Sequence, residues 1–207
     1  MSKNKYGRKT PFRQAKEEVL VVCGGQTEKI YFDTFKRIFR PSLGNINIVT
    51  AVKAKNPMQI VNFAIKMREQ KETYNAVWCV FDKDDFTDFD ESIKFAKRNG
   101  IETAFSNQAF EVWFINHYRL LNTSLHRNKY KEELGKYLSF SYDKNQEIII
   151  KVCDILLTAD KLKEAIKNAR FGYEHHKTYT KPALPSAFES CTTVFMLMKS
   201  LLNWVDI

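Results

Sequence analysis

Cysteine is scarce and scattered in this 207-residue chain. Cys23, Cys79, Cys153 and Cys191 make no C-x-x-C pair, which leaves no zinc-ligand spacing and no dithiol redox motif. Long apolar runs are missing too: none approaches the roughly 20 residues that cross a bilayer. Residues 1–16 carry no apolar signal core. These absences lead us to expect a cytoplasmic protein with no membrane partner, in which Cys23 and Cys79, set inside apolar runs, are buried reduced thiols. Phosphate-binding glycine loops are also lacking. Gly24-Gly25 is followed neither by Gly-Lys-Ser/Thr nor by the rest of a G-x-G-x-x-G, which argues against an ATP or dinucleotide site.

What is present excludes disorder and low complexity: 44% of residues are hydrophobic and 14% aromatic, in a length that suits one domain with a sizeable core. The net charge of +9 is unevenly spread. Residues 1–16 hold six Lys/Arg and no acid, residues 161–181 hold six against Glu164 and Glu174, and residues 17–160 are balanced. Basic patches outside a neutral middle suit a polyanionic partner through counterion release, or else a solvated leader and helix face.

The pattern along the chain alternates strands with helices. Glu18 to Cys23 and Asn75 to Phe81 read as continuous apolar strands buried on both faces, and Ile46 to Val52 and Glu102 to Phe105 as further strands. Helices are predicted from about Thr27 to Arg40, ended by Pro41 and Gly44, and from Asn56-Pro57. A third is predicted from Asp88, with Glu91 completing its cap, to Asn99-Gly100. Later helices are predicted at Phe110 to about Leu121, Glu147 to Ala169, and after a Ser186-x-x-Glu189 capping box. The expected fold is α/β, an open and mainly parallel sheet of about four strands flanked by helices. Its expected parts are a basic arm (1–16), an α/β core (17–120) and a helical C-terminal part (121–207) packed on that core.

Ligands gather at the carboxyl ends of parallel strands. Here the first strand runs into Gly24-Gly25-Gln26-Thr27-Glu28 and the third into Asp82-Lys83-Asp84-Asp85. If those strands are neighbours, several carboxylates converge, and like charges held together call for a cation. Oxygen donors favour Mg²⁺ or Mn²⁺ over zinc. Asp85, Asp88, Asp90 and Glu91 also read as helix-capping acids. The Asp84, Asp88, Asp90 spacing does not fit an EF-hand.

At this point the residues resemble a known family. Gly25-x-Thr27-Glu28-x-x-Tyr31-Phe32 and Phe81-Asp82-x-Asp84 look like a Toprim domain. With Ser106-Asn107-x-x-Phe110-Glu111-x-Trp113-x-x-x-His117 they resemble the RloB-like family of bacterial anti-phage and restriction-associated proteins, the motifs lying within residues 18–118. The resemblance implies a Toprim-like core in which Glu28, Asp82 and Asp84 are catalytic. Asp82 and Asp84 would hold Mg²⁺ (or Mn²⁺), Glu28 would act as acid/base or ligand, and Asp85 would be the candidate third acid. It also implies an ATPase partner from the same locus. Where the family often has Pro after the Ser-Asn pair, this chain has Gln108-Ala109.

The remaining candidates carry two readings each. Glu111 is either a further carboxylate of the site or a first-turn acid favoured by the helix dipole. His117 is either a phosphate contact and proton shuttle or a packing histidine, while Trp113 reads as core. Lys161, Lys163, Lys167, Arg170, Lys177 and Lys181, interleaved with Tyr173, Tyr179 and the adjacent His175-His176 of an expected loop, could grip DNA or RNA. The function expected is a Mg²⁺-dependent nuclease of phage defence. The alternative is a non-catalytic effector or nucleic-acid-binding subunit working with an ATPase.

Overall fold

Four parallel strands in the order β2-β1-β3-β4 form the centre of the protein, seen in a computed structural model that describes residues 18–39, 45–51, 53–71, 73–121 and 123–202. The basic arm 1–16, and the Pro41 and Gly44 expected to end the first helix, lie outside the described residues. The strands are β1 (Glu18–Cys23), β2 (Asn45–Thr50), β3 (Ala76–Asp82) and β4 (Glu102–Ser106). Helices α1 (Gln26–Phe39), α2 (Pro57–Gln70) and α3 (Phe89–Arg98) make the crossovers. After β4 come α4 (Glu111–Asn116), a 3₁₀ turn (Arg127–Lys129) leading into α5 (Tyr130–Gly135), α6 (Gln146–Leu156), α7 (Ala159–Tyr179) and α8 (Val194–Leu202).

The apolar runs of β1 and β3 are continuous because each face of the sheet has its own core. Val19, Val21, Cys23, Trp78 and Val80 point to one side, where α1 and the later helices pack. Leu20, Val22, Val77, Cys79 and Phe81 point to the other, under α2 and α3. Alternate strand residues take opposite faces, so a strand covered on both sides has no polar positions to spare. The β4 edge is covered as well. The Thr193 N–H donates to Phe105 O at 2.8 Å and the Asn107 N–H to Cys191 O at 2.8 Å, closing backbone groups that an open edge would leave unpaired. All four cysteines are buried and free.

Local expectations differ from the structure in five places. The helix expected over 147–169 is two. Thr158, in extended backbone, caps a new helix by accepting from the Lys161 N–H, and α7 then runs to Tyr179, so His175 and His176 lie on a helix and not in a loop. Helix α4 stops at Asn116, where the Asn116 amide and the His117 ring turn back on the carbonyls of Val112 and Trp113, at 2.7 and 2.9 Å. Asp88 holds the cap position of α3, but its carboxylate accepts from the Met58 N–H of α2 instead of its own helix. Ser186 caps nothing: its N–H and hydroxyl both donate to Asp90, and α8 begins only at Val194. Glu91, expected to complete the α3 cap, pairs instead with Arg98 at 2.7 Å.

Candidate functional site

Because β1 and β3 are adjacent, their carboxyl ends open side by side. At the end of β1 the Gly24 N–H donates to Val80 O at 2.8 Å, which carries the β1–β3 pairing one residue past Cys23 before α1 begins at Gln26. A Cβ on Gly25 would stand 2.7 Å from Glu28 Oε2, so a glycine there leaves the space into which the Glu28 carboxylate folds back. That carboxylate, 5% exposed, accepts its own backbone N–H in the first helical turn. Burial raises its pKa to about 7; its backbone hydrogen bond opposes the rise, and the nearby Glu111 and Asp84 charges add to it.

Asp82 ends β3. Burial, then the charges of Glu28, Glu111 and Asp84, push its pKa well above the usual carboxylate range, against one backbone hydrogen bond from Phe110. The sheet register carries on past it: the Lys83 N–H donates to Ser106 O at 2.9 Å and the Asp84 N–H to Gln108 O at 3.1 Å. Asp84 has φ 41°, a left-handed conformation that Asp tolerates better than most residues, and the pairing with Gln108 holds it there. Its carboxylate pairs with Arg127, which also reaches Asp85 at 2.9 Å.

Glu111, at the start of α4 and 1% exposed, joins this group from the far side of the β3–β4 junction. Its Oε1 accepts from the Tyr142 hydroxyl at 2.7 Å and pairs with Lys144 Nζ at 2.9 Å. Burial pulls the Lys144 pKa down, yet Glu111, Asp82 and Glu28 together leave it above the ordinary value. Among the described residues nothing hydrogen-bonds Asp82 Oδ1 or Glu111 Oε2.

Two clefts open on these carboxylates. One, ≈ 240 Å³, is lined by the Gly24-Gly25 loop, Glu28, Asp82, Asp84 and Lys144. The other, ≈ 330 Å³, is lined by Asp84, Glu111, Arg127, Lys131, Tyr142 and Lys144. The structure therefore gathers Glu28, Asp82, Asp84 and Glu111, and sets Asp85 outward, with a side chain 90% exposed. His117 is not gathered: its ring packs 4.9 Å from Trp113, it lines neither cleft, and burial lowers its pKa to about 3. Trp113 is core, fully buried.

The basic candidates lie elsewhere. Lys161, Lys163, Lys167, Arg170 and Lys177 stand on α7 and Lys181 just past it, and none of the six lines either cleft. Lys161 sits 4.2 Å over the Tyr118 ring, Lys167 pairs with Glu164 and Lys177 with Glu174. Phe171 and Tyr179, both well exposed, share that helix. The cations that do reach the carboxylates, Arg127 and Lys144, come from a polar stretch with no motif of its own. Only the need of a buried acidic cluster for counter-charge could have pointed to them.

Among the described residues no three His, Cys, Asp or Glu side chains are already gathered as a metal-ligand set. The donors nevertheless suit a hard divalent cation. They are all oxygen, two buried oxygens lack partners, and Mg²⁺ needs only one or two carboxylates besides its waters. No helix among the described residues is long and apolar enough to cross a membrane.

The family model described as RloB-like protein matches residues 19–201. No curated protein and no solved structure matches the chain.

Proposed function

From the chain's membership of the RloB-like family, we propose a Mg²⁺- or Mn²⁺-dependent phosphodiesterase that cuts nucleic acid in bacterial phage defence, built on a Toprim-type site. The observation that carries this reading is the pair of partnerless buried carboxylate oxygens, Asp82 Oδ1 and Glu111 Oε2, beside a Glu28 whose pKa is raised to about 7. Buried carboxylate oxygens left without a hydrogen bond are costly unless something binds them.

In this reading Asp82 and Asp84 hold the metal, with Glu111 as a further carboxylate. When bound, Mg²⁺ or Mn²⁺ would polarise a phosphoryl oxygen and help to generate hydroxide from water. Glu28 exchanges a proton at its carboxylate near neutral pH, either taking one from the attacking water or giving one to the leaving ester oxygen as the phosphorus–oxygen bond breaks. Lys144 lies where it can offset phosphate charge. The basic helix face of α7 would grip the rest of the polyanion.

The test is incubation of the protein with DNA and with total RNA, with and without Mg²⁺ or Mn²⁺, beside Asp82→Asn and Glu28→Gln. Metal-dependent cleavage lost in both variants supports the reading. Cleavage at the original rate by a folded double variant overturns it. One observation favours the other reading, a non-catalytic effector working with an ATPase: Arg127 already pairs with Asp84 and Asp85, and Lys144 with Glu111, without any metal. Co-purification with a locus-encoded ATPase, and cleavage by neither chain alone nor the complex, would point there.

A further inference from the structure

The two clefts that meet at the carboxylates share Asp84 and Lys144, which form a saddle between them. Beyond the saddle, the second cleft is walled by Arg127, Lys131 and Lys144, and its floor holds Glu111 with a buried oxygen that no described residue satisfies. Its volume of ≈ 330 Å³ falls at the small end of the ~300–1,000 Å³ of pockets that enclose one organic molecule.

We infer that the second cleft is a subsite for one unpaired nucleotide adjoining the phosphate at the carboxylates, which makes the substrate class single-stranded or looped nucleic acid. This rests on the proposed nuclease reading for which phosphate is cut, though not for binding itself. Three features carry it. A concave pocket of this size takes one nucleotide. Duplex, with a persistence length of ~50 nm, does not bend into it, whereas an unpaired strand is drawn in readily.

One wall cation is also exchangeable. Lys131 pairs with Asp143 at 3.5 Å, and both side chains remain more than half exposed, so a phosphate can replace Asp143 at little cost. Lys144 keeps its pairing with the buried Glu111 at 2.9 Å, but its own side chain is more than half exposed and has further N–H donors to offer a phosphate. Finally, the saddle continues both clefts, so a strand crossing it places successive nucleotides on either side of Asp84 and Lys144, one in the cleft that holds Asp82 and the next in the cleft that holds Glu111. Lys144 then contacts the phosphate between them.

The experiment measures fluorescence anisotropy of labelled single-stranded DNA, single-stranded RNA of the same sequence, and the matching duplexes, in EDTA and again in Ca²⁺. The proteins are the wild type, Lys131→Glu on the cleft wall, Asn128→Trp to fill the cleft, and Lys97→Glu. The last makes the same charge change on α3, away from either cleft. Single strands should bind about tenfold or more tighter than duplex, and Lys131→Glu and Asn128→Trp should each weaken single-strand binding by about tenfold. Lys97→Glu should change it less than about twofold. The DNA and RNA arms report which sugar the cleft prefers.

Equal affinity for duplex and single strand overturns the assignment. So does equal weakening by Lys131→Glu and Lys97→Glu, or no binding at all. If the selectivity and the variants behave as expected but no metal supports cleavage, the subsite stands and the nuclease reading falls. Metal-dependent cutting of continuous duplex, lost in Asp82→Asn, gives the reverse.

Discussion

The side-chain oxygen of Gln108 accepts the backbone N–H of Arg127 at 2.9 Å, while the Gln108 carbonyl accepts the Asp84 N–H at 3.1 Å. One residue thus sets the two partners of an ion pair against each other. Replacing Arg127 by Ala removes the cation shared by Asp84 and Asp85 and leaves the centre more negative. A divalent cation should then bind about three- to tenfold more tightly, read by Mn²⁺ titration in calorimetry or electron paramagnetic resonance. Gln108→Ala should cost about 1 kcal/mol of stability and move Mn²⁺ affinity the same way by less. Unchanged Mn²⁺ affinity in both variants would sink the idea that Arg127 and the metal compete for one charge.

Glu28 makes the metal-free protein sensitive to base. Its folded pKa of about 7 exceeds the ordinary 4.5, so the folded state holds the proton more strongly than the unfolded chain does. Protonation favours folding on that account, and stability falls as pH rises from about 4.5 through about 7, by up to about 3 kcal/mol. Asp82, shifted in the same direction, adds to the loss. In EDTA the melting temperature should drop from about pH 6.5 to about pH 8, above the range in which His117 acts with the opposite sign. Glu28→Gln should flatten part of that slope and raise the melting temperature at the alkaline end, and added Mn²⁺ should do likewise for the wild type. A melting temperature in EDTA that stays level from about pH 6.5 to about pH 8 would contradict the burial of these charges.

Much of the sheet was legible because a continuous apolar run such as Val19-Leu20-Val21-Val22, punctuated by glycine, fits a strand covered on both faces and little else. Glu28, Asp82 and Asp84 were legible because each closely follows such a run, and a parallel sheet delivers strand ends to one rim. The pairing partners were not. Arg127 reaches Asp84 across 43 residues and Ser186 reaches Asp90 across 96, through irregular chain that carries no periodic signal. The Ser186-x-x-Glu189 pattern satisfies a local rule, but a tertiary partner outcompetes it. The break between α6 and α7 was hidden for the opposite reason. Leu156 and Leu157 are both buried and continue the apolar pattern across the gap, although Thr158 before Ala159-Asp160 carries a cap signature.

His117 should govern acid sensitivity. Its ring is buried neutral, with Nδ1 at 2.9 Å from Trp113 O and burial holding its pKa near 3 against an ordinary 6.5. Here the unfolded chain binds the proton more strongly. The stability contribution is therefore complete above pH about 6.5 and is lost as pH falls toward about 3, at about 1.4 kcal/mol per unit. His117→Gln, which keeps a hydrogen-bonding side chain without a titrating ring, should lower stability at neutral pH through lost packing on Trp113 and Tyr31, yet weaken the acid dependence of urea midpoints below pH 6. Because the ring lines neither cleft, nucleic-acid binding at neutral pH should be unaffected in the folded variant; a large loss there would return His117 to the site.

Gly25 offers the sharpest separation of site from scaffold. Its φ is not in the left-handed region, so alanine meets no backbone penalty there. The added Cβ instead meets the Glu28 carboxylate at 2.7 Å from Oε2, with Oε1 next at 3.3 Å. The carboxylate is the movable partner, and in Gly25→Ala it should swing away from its place beside Asp82. Gly24→Ala differs, since its nearest neighbour is Ile60 Cδ1 at 2.7 Å, followed by Val80 O at 3.3 Å, and the clash falls on the core and the strand end. Gly25→Ala is expected to keep its melting temperature within a few degrees, equivalent to about 1 kcal/mol, and to lose metal-dependent cleavage by about a hundredfold, as removal of a general acid or base does. Gly24→Ala should lose stability first. A Gly25→Ala protein that cleaves at the wild-type rate would mean that the position of the Glu28 carboxylate, and so its proton, does not matter to the chemistry.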